Sequence, residues 1–185
     1  MLMDLLCKPE VYGGSAIHSA VVHGLLEVIV KIVESGSDVN DVGNGGATAM
    51  HMAGLSEAGQ HLVGELAGMG AGLDAADAFG YLPLHRMVQN NLLYGASTAL
   101  ALGADPGAGL RTAAGADEEG LTPLHLCARE GHAQMARLLM AHGADPMQRD
   151  AAGRLARDCA PARSAEVLEC LREAARMLEP RAAGD

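Results

Sequence analysis

One imidazole returns along this chain at a nearly fixed interval. His18, His51, His85 and His125 are separated by 33, 34 and 40 residues, and Asp158 follows His125 by another 33. Each closes a similar tetrapeptide: Ser15-Ala16-Ile17-His18, Thr48-Ala49-Met50-His51, Leu82-Pro83-Leu84-His85 and Thr122-Pro123-Leu124-His125. Downstream, Gly36-Ser37-Asp38, Gly103-Ala104-Asp105 and Gly143-Ala144-Asp145 recur in the same phase. A period of this length means one small unit used repeatedly, with each copy burying its apolar face against its neighbours.

Each unit holds two short apolar patterns at helical spacing, parted by a glycine-containing break. In residues 117–149 the first offers Leu124, Leu126, Cys127 and Ala128, and the second Met135, Leu138, Leu139 and Met140. Helices this short do not persist alone in water, so stacking must supply their stability. Composition agrees. The 185 residues include 34 Ala, 24 Gly and only four aromatics, Tyr12, Phe79, Tyr81 and Tyr94. A core with so little aromatic volume is made of small contacts between closely spaced helices. The hydrophobic fraction of 49% and the mean hydropathy of +0.13 exclude a disordered chain.

The unit from Asp117 to Arg149 resembles the ankyrin repeat, whose signature is T-P-L-H-x-A in a 33-residue period. Thr122, Pro123, Leu124 and His125 carry the signature, Gly131 and His132 open the second helix, and Gly143-Ala144-Asp145 closes the unit. The resemblance implies an all-α solenoid, an ankyrin repeat array of about five stacked helix-turn-helix units with short hairpin fingers. The units fall at about 10–42, 43–76, 77–116, 117–149 and 150–177, with an inserted loop near 107–116. An N-terminal cap segment over 1–9 and a C-terminal tail over 178–185 complete the chain. Unit two carries an extra residue and places Gly64 and Gly68 in its second helix; unit three has Asn90-Asn91 where Gly-His opens the helix elsewhere. Units two and three are therefore expected to open first in hydrogen exchange.

The formal net charge of −10 is uneven: residues 1–106 carry −8 and residues 107–185 carry −2. An acidic first half repels phosphate, which argues against nucleic acid as a partner. No apolar run approaches a membrane span, and Asp4 interrupts the short apolar N-terminal stretch, so neither a membrane nor a secretory route is expected. The four cysteines (7, 127, 159 and 170) form no C-x-x-C pair and read as free thiols in a reducing compartment, cytoplasmic or nuclear. A monomer is expected.

Catalytic signatures are absent from the sequence: there is no G-x-S-x-G, no H-E-x-x-H and no G-x-x-x-x-G-K-[ST]. Gly43-Asn44-Gly45-Gly46 reads as a turn between units, and Asp117-Glu118-Glu119 as a solvated finger tip. The in-phase histidines lie one helix spacing apart, roughly 8–10 Å, too far to share a metal ion with bonds of about 2 Å. No catalytic residue, metal or cofactor is expected. In the ankyrin family the equivalent histidine is structural.

The resemblance implies a non-catalytic protein–protein interaction module, an adaptor or scaffold gripping a protein of basic or neutral surface through finger tips and first-helix face. The alternative it implies is an ankyrin-type inhibitor or regulatory subunit that occludes an enzyme such as a kinase. Carried over from the family's variable positions, the finger contacts are Asn44, Phe79, Tyr81, Glu118, Glu119, Leu121 and Arg154, and the helix contacts include Gln89, Asn90 and Arg129. Phe79 and Tyr81 flank Gly80 and are expected to stand together at the centre of the contact surface. Asn40 is a further candidate, for hydroxylation.

Overall fold

The computed structural model describes residues 14–112, 118–161 and 164–178. The expected cap over 1–9, residues 179–185 of the expected tail and residues 113–117 lie outside the described residues.

Helices come in pairs. The first pair is α1 (Ala16–Val22) and α2 (Leu26–Glu34). In the second, α3 (Ala49–Ala53) is followed by a 3-10 turn (Gly59–Leu62) running into α4 (Val63–Gly68). Next come α5 (Pro83–Gln89) with α6 (Leu93–Ala101), then α7 (Pro123–Glu130) with α8 (Ala133–Ala141). Last is a 3-10 turn (Ala156–Cys159) with α9 (Ala165–Leu178). Among the described residues there is no strand, only an isolated antiparallel bridge between Arg149 and Leu155.

Two layers result. In one, α1 packs on α3, α3 on α5, α5 on α7, and α7 on the Ala156–Cys159 turn. In the other, α4 and its turn pack on α6, α6 on α8, and α8 on α9. The core between them is aliphatic and sulfur-rich, with Met50, Met52, Met87, Leu124, Leu126, Met135 and Leu139 fully buried. Ala49, Ala53, Ala96 and Ala136 fill the narrow places between helices. Methionine suits such irregular gaps, since its unbranched chain adapts to them.

Local chemistry sets the helix starts. The backbone N–H of Thr48 donates to His51 Nδ1 at 3.1 Å, that of Leu82 to His85 Nδ1 at 3.2 Å, and that of Thr122 to His125 Nδ1 at 3.3 Å. Each imidazole thus does what the Glu of a capping box does. Asp158 repeats the role in the last unit, accepting the N–H of Leu155 at 2.9 Å. At the break between paired helices the backbone turns left-handed, at Gly24 (φ 71°), Asn91 (φ 54°) and Gly131 (φ 83°). Asn91 shows why unit three tolerates its departure from the pattern, because asparagine is one of the few side-chain-bearing residues that visits this region.

The second unit is the irregular one. Its second helix is only six residues long, behind the 3-10 turn, and includes Gly64 and Gly68.

Hairpin fingers join the pairs. Gly43 N–H donates to Ala47 O at 2.7 Å, Asp77 N–H to Tyr81 O at 2.9 Å, and Asp150 N–H to Arg154 O at 3.0 Å, each enclosing three residues. In the remaining finger, Leu110 N–H donates to Leu121 O at 2.9 Å and Gly120 N–H returns to Leu110 O at 3.2 Å. That finger encloses ten residues, 111–120. The path before it is regular: Gly107 N–H meets Asp105 Oδ1 at 2.8 Å just as Met147 N–H meets Asp145 Oδ1. The extra length therefore lies between Leu110 and Leu121, shifted toward the C-terminus from the 107–116 expected from spacing.

Candidate interaction face

The in-phase histidines fasten one unit to the next. Because Nδ1 of His51 accepts a backbone N–H, the proton sits on Nε2, which donates to the Tyr81 carbonyl at 3.0 Å. By the same logic His125 Nε2 donates to Arg154 O at 3.0 Å. Ser15 Oγ lies 2.7 Å from His18 Nδ1, and His18 Nε2 donates to Ala47 O at 3.0 Å. Each of these carbonyls also closes its own finger. The latch therefore holds a finger by its base.

His85 differs. Its Nε2 is buried and has no hydrogen-bond partner among the described residues. The carbonyls of Ala108 and Leu121 lie nearby, at the base of the enlarged finger, and neither meets hydrogen-bond geometry. Burial depresses its pKa to about 4, against which the two carbonyls work only weakly. Burial also lowers His51 and His125. All three rings are neutral at pH 7.

Ionic contacts brace the fingers. Asp77, in the third unit's finger, pairs with Arg86 of α5 at 2.5 Å, and both side chains are almost wholly buried. The same carboxylate accepts the N–H of Phe79 at 2.9 Å and of Tyr81 at 3.0 Å. Arg86 also lies over the Tyr81 ring, 4.0 Å from its centroid. From there a chain runs outward: Tyr81 OH donates to Glu118 Oε2 at 2.8 Å, Glu118 Oε1 meets Arg129 Nη1 at 2.5 Å, and Arg129 Nε meets Glu130 at 3.2 Å. Burial works to raise the Glu118 carboxyl, but the Tyr81 hydroxyl and the Arg129 guanidinium outweigh it and hold it below its ordinary value. Burial, then Glu118, pushes the Tyr81 hydroxyl up.

These contacts split the aromatic pair. Phe79 stands at the finger tip, 48% exposed, whereas Tyr81 is 8% exposed and faces inward with its hydroxyl committed. The expectation that both stand on the surface is corrected for Tyr81. Leu121 is corrected likewise, being buried with the core. The reason is shared: both occupy the position before the helix cap, where the chain turns from finger into core, and the Tyr81 ring lies under Arg86 of its own unit with its hydroxyl on Glu118 of the next.

Other expected contact residues lie nearer the surface. Asn44 is exposed in the second unit's finger, and Gln89, Asn90, Glu118, Glu119, Arg129 and Arg154 are half-buried along fingers and first helices. Asn90 Nδ2 donates to Gly54 O at 3.0 Å, and Arg154 Nε to Asp150 at 2.7 Å, so both also brace the scaffold. Asn40 is exposed, but its amide is engaged by Gly70 O and Gly72 N–H, at 2.9 and 2.8 Å. Asp77 and Arg86 escaped the sequence reading. A signal existed: Asp77 and Asp150 each precede their cap residue, His85 and Asp158, by eight positions.

No group of three or more His, Cys, Asp and Glu side chains among the described residues could hold a metal ion. Burial pushes the Cys127 thiol up, so it carries little thiolate for nucleophilic chemistry. No helix among the described residues is long and apolar enough to cross a membrane.

The described residues are mostly helical, in pairs joined by latched fingers. The ankyrin repeat family model matches residues 119–151, so the chain contains an ankyrin repeat. Such repeats in general mediate protein–protein interaction. No curated protein matches the chain.

Proposed function

We propose that the chain is a non-catalytic ankyrin solenoid of about five units that binds a protein through its finger tips and first-helix face, acting as an adaptor or scaffold. The carrying observation is Phe79. The hydrophobic core gains little from it, yet Asp77 orients its backbone and leaves the ring 48% exposed. Large aromatic anchors on a rigid base are what interface hot spots are made of. Asn44, Gln89, Asn90, Glu119, Arg129 and Arg154 surround it as specificity contacts; Tyr81, Leu121 and Glu118 position the fingers. The acidic first half favours a partner of basic or neutral surface. We place the protein in the cytoplasm or nucleus, as a monomer.

Affinity capture from native cells, with wild-type chain beside Phe79→Ala and Glu119→Arg, tests this. A protein retained by wild type and lost from both variants is the expected result. Equal retention by all three would remove the finger face from the proposal. If the captured protein is an enzyme whose activity falls on binding, the role is inhibition and not scaffolding.

A further inference from the structure

The chain has four asparagines: Asn40, Asn44, Asn90 and Asn91. An asparagine loses its amide when the backbone nitrogen of the next residue attacks its side-chain carbonyl carbon. The state of that nitrogen therefore decides which of the four react. In three cases it is tied into a turn or a helix end. Asp41 N–H donates to Asp38 O at 3.1 Å, Asn91 N–H to Val88 O at 3.1 Å, and Leu92 N–H to Met87 O at 2.9 Å. A nitrogen held in this way must break its bond before it can reach the side chain. Two of the amides are clamped as well: Asn40 between Gly70 O and Gly72 N–H, and Asn90 against Gly54 O and Arg86 O.

Asn44 differs in each respect that governs the attack. The residue after it is Gly45, which has no side chain to obstruct its own nitrogen. Among the described residues, no backbone carbonyl accepts the Gly45 N–H. Asn44 is exposed in the second unit's finger, so water reaches it. Gly45 and Gly46 both stand in the left-handed region, at φ 69° and 71°. Glycine crosses such backbone states at little cost, so this finger can reach the attack geometry without unfolding.

We propose that Asn44 is a site of spontaneous deamidation, with solvent water and base as the only reagents. Base removes the Gly45 amide proton, and the nitrogen bonds to the Asn44 side-chain carbonyl carbon. The side-chain nitrogen takes up a proton and leaves as ammonia, closing a cyclic imide. Water then opens the imide at either carbonyl. One opening gives aspartate; the other gives isoaspartate, in which the main chain runs through the former side-chain methylene. Both products place a new carboxylate on the finger, on a chain already at −10. Isoaspartate also lengthens the finger's backbone just before Gly45, whose carbonyl accepts the Ala78 N–H of the next finger at 2.8 Å. The modification thus adds charge to the second finger and loosens its bond to the third. The site stands whether or not the finger face binds a protein as proposed above.

Ageing the full chain in warm, mildly alkaline buffer tests this, with peptide mass and isoaspartyl methyltransferase labelling as readouts. Asn44 should convert to a mixture of aspartate and isoaspartate many-fold faster than Asn40, Asn90 or Asn91 in the same digest. Asn44→Gln should remove the methyltransferase label. The same ageing in urea separates the role of the fold: the three tied asparagines should speed up several-fold, whereas Asn44 should change little. An Asn44 that keeps its amide in the folded chain as long as the other three do would overturn the proposal. So would an Asn44 that converts only once urea has unfolded the finger.

Discussion

The hydroxyl of Tyr81 donates to the carboxylate of Glu118 across 2.8 Å, joining two fingers 37 residues apart in sequence. Glu118 is also held by Arg129, so three side chains from two units move as one. Tyr81→Phe removes the donor while keeping the ring beneath Arg86. The expected loss is about 1 kcal/mol, read as a lower urea midpoint with unchanged slope. No shift would mean that the bond is replaced by water without cost.

Stability should fall with acid in a window set by the histidines. The His85 pKa is lowered from 6.5 to about 4, so the unfolded chain binds a proton that the folded one refuses. Its contribution is fully present above about pH 6.5 and is lost as pH falls toward 4. The size is about 3 kcal/mol, with His51 and His125 acting in the same direction. Urea unfolding from pH 7 to 4.5, with His85→Gln beside wild type, checks this. The variant should show the shallower slope, and parallel curves would exclude His85.

Equivalent histidines should not cost the same to remove. His125→Leu leaves the Thr122 N–H without its acceptor and removes one of the two donors to the Arg154 carbonyl. His85→Leu strands only the Leu82 N–H and eliminates an already orphaned Nε2. The first should destabilise by about 2–4 kcal/mol and the second by about 1 kcal/mol less. Thermal melts of the two purified variants decide it; equal losses would mean that His85 Nε2 has a water partner as good as a carbonyl.

Glycines divide by what stands beside them. A Cβ on Gly64 would meet only the Thr98 methyl, at 3.9 Å, and one on Gly68 would meet nothing within 4 Å. Gly64→Ala should stabilise the six-residue α4 by up to about 1 kcal/mol and slow amide exchange through residues 59–68. Gly80→Ala should do the reverse, since its φ is 82° and its Cβ would lie 2.5 Å from the Arg111 carbonyl carbon. Exchange as slow in units two and three as elsewhere would contradict the expected softness of that region.

The helix pairs could be read from the sequence because their signals are local. Thr122, Pro123 and His125 fix a helix start within four residues, and Gly131 fixes its end. The extra length in unit three was also visible as a 40-residue spacing. Its place was not, since only the Leu110–Leu121 hydrogen bond shows where the finger closes. The contact face was legible in outline and misjudged in detail. Tyr81 and Phe79 look alike beside Gly80, but one lies under the guanidinium of Arg86, on the helix that follows, and the other faces water. That difference depends on Asp77 and Arg86, nine residues apart, meeting in space.

The orphaned Nε2 of His85 makes the four seams of the array unequal. Three are riveted by imidazole–carbonyl hydrogen bonds of 3.0 Å. At the remaining seam, between His85 and Leu121, the fingers are joined by Arg111 N–H to Gly80 O at 2.9 Å and by Tyr81 OH to Glu118 at 2.8 Å, and Glu118 is held in turn by Arg129. Screening weakens charges in contact with water, so the Glu118–Arg129 pair behind this seam and the Arg137–Glu166 pair between α8 and α9, 53% and 69% exposed, both answer to the surrounding electrolyte. Salt would loosen the seam before α9 as well as the middle of the stack.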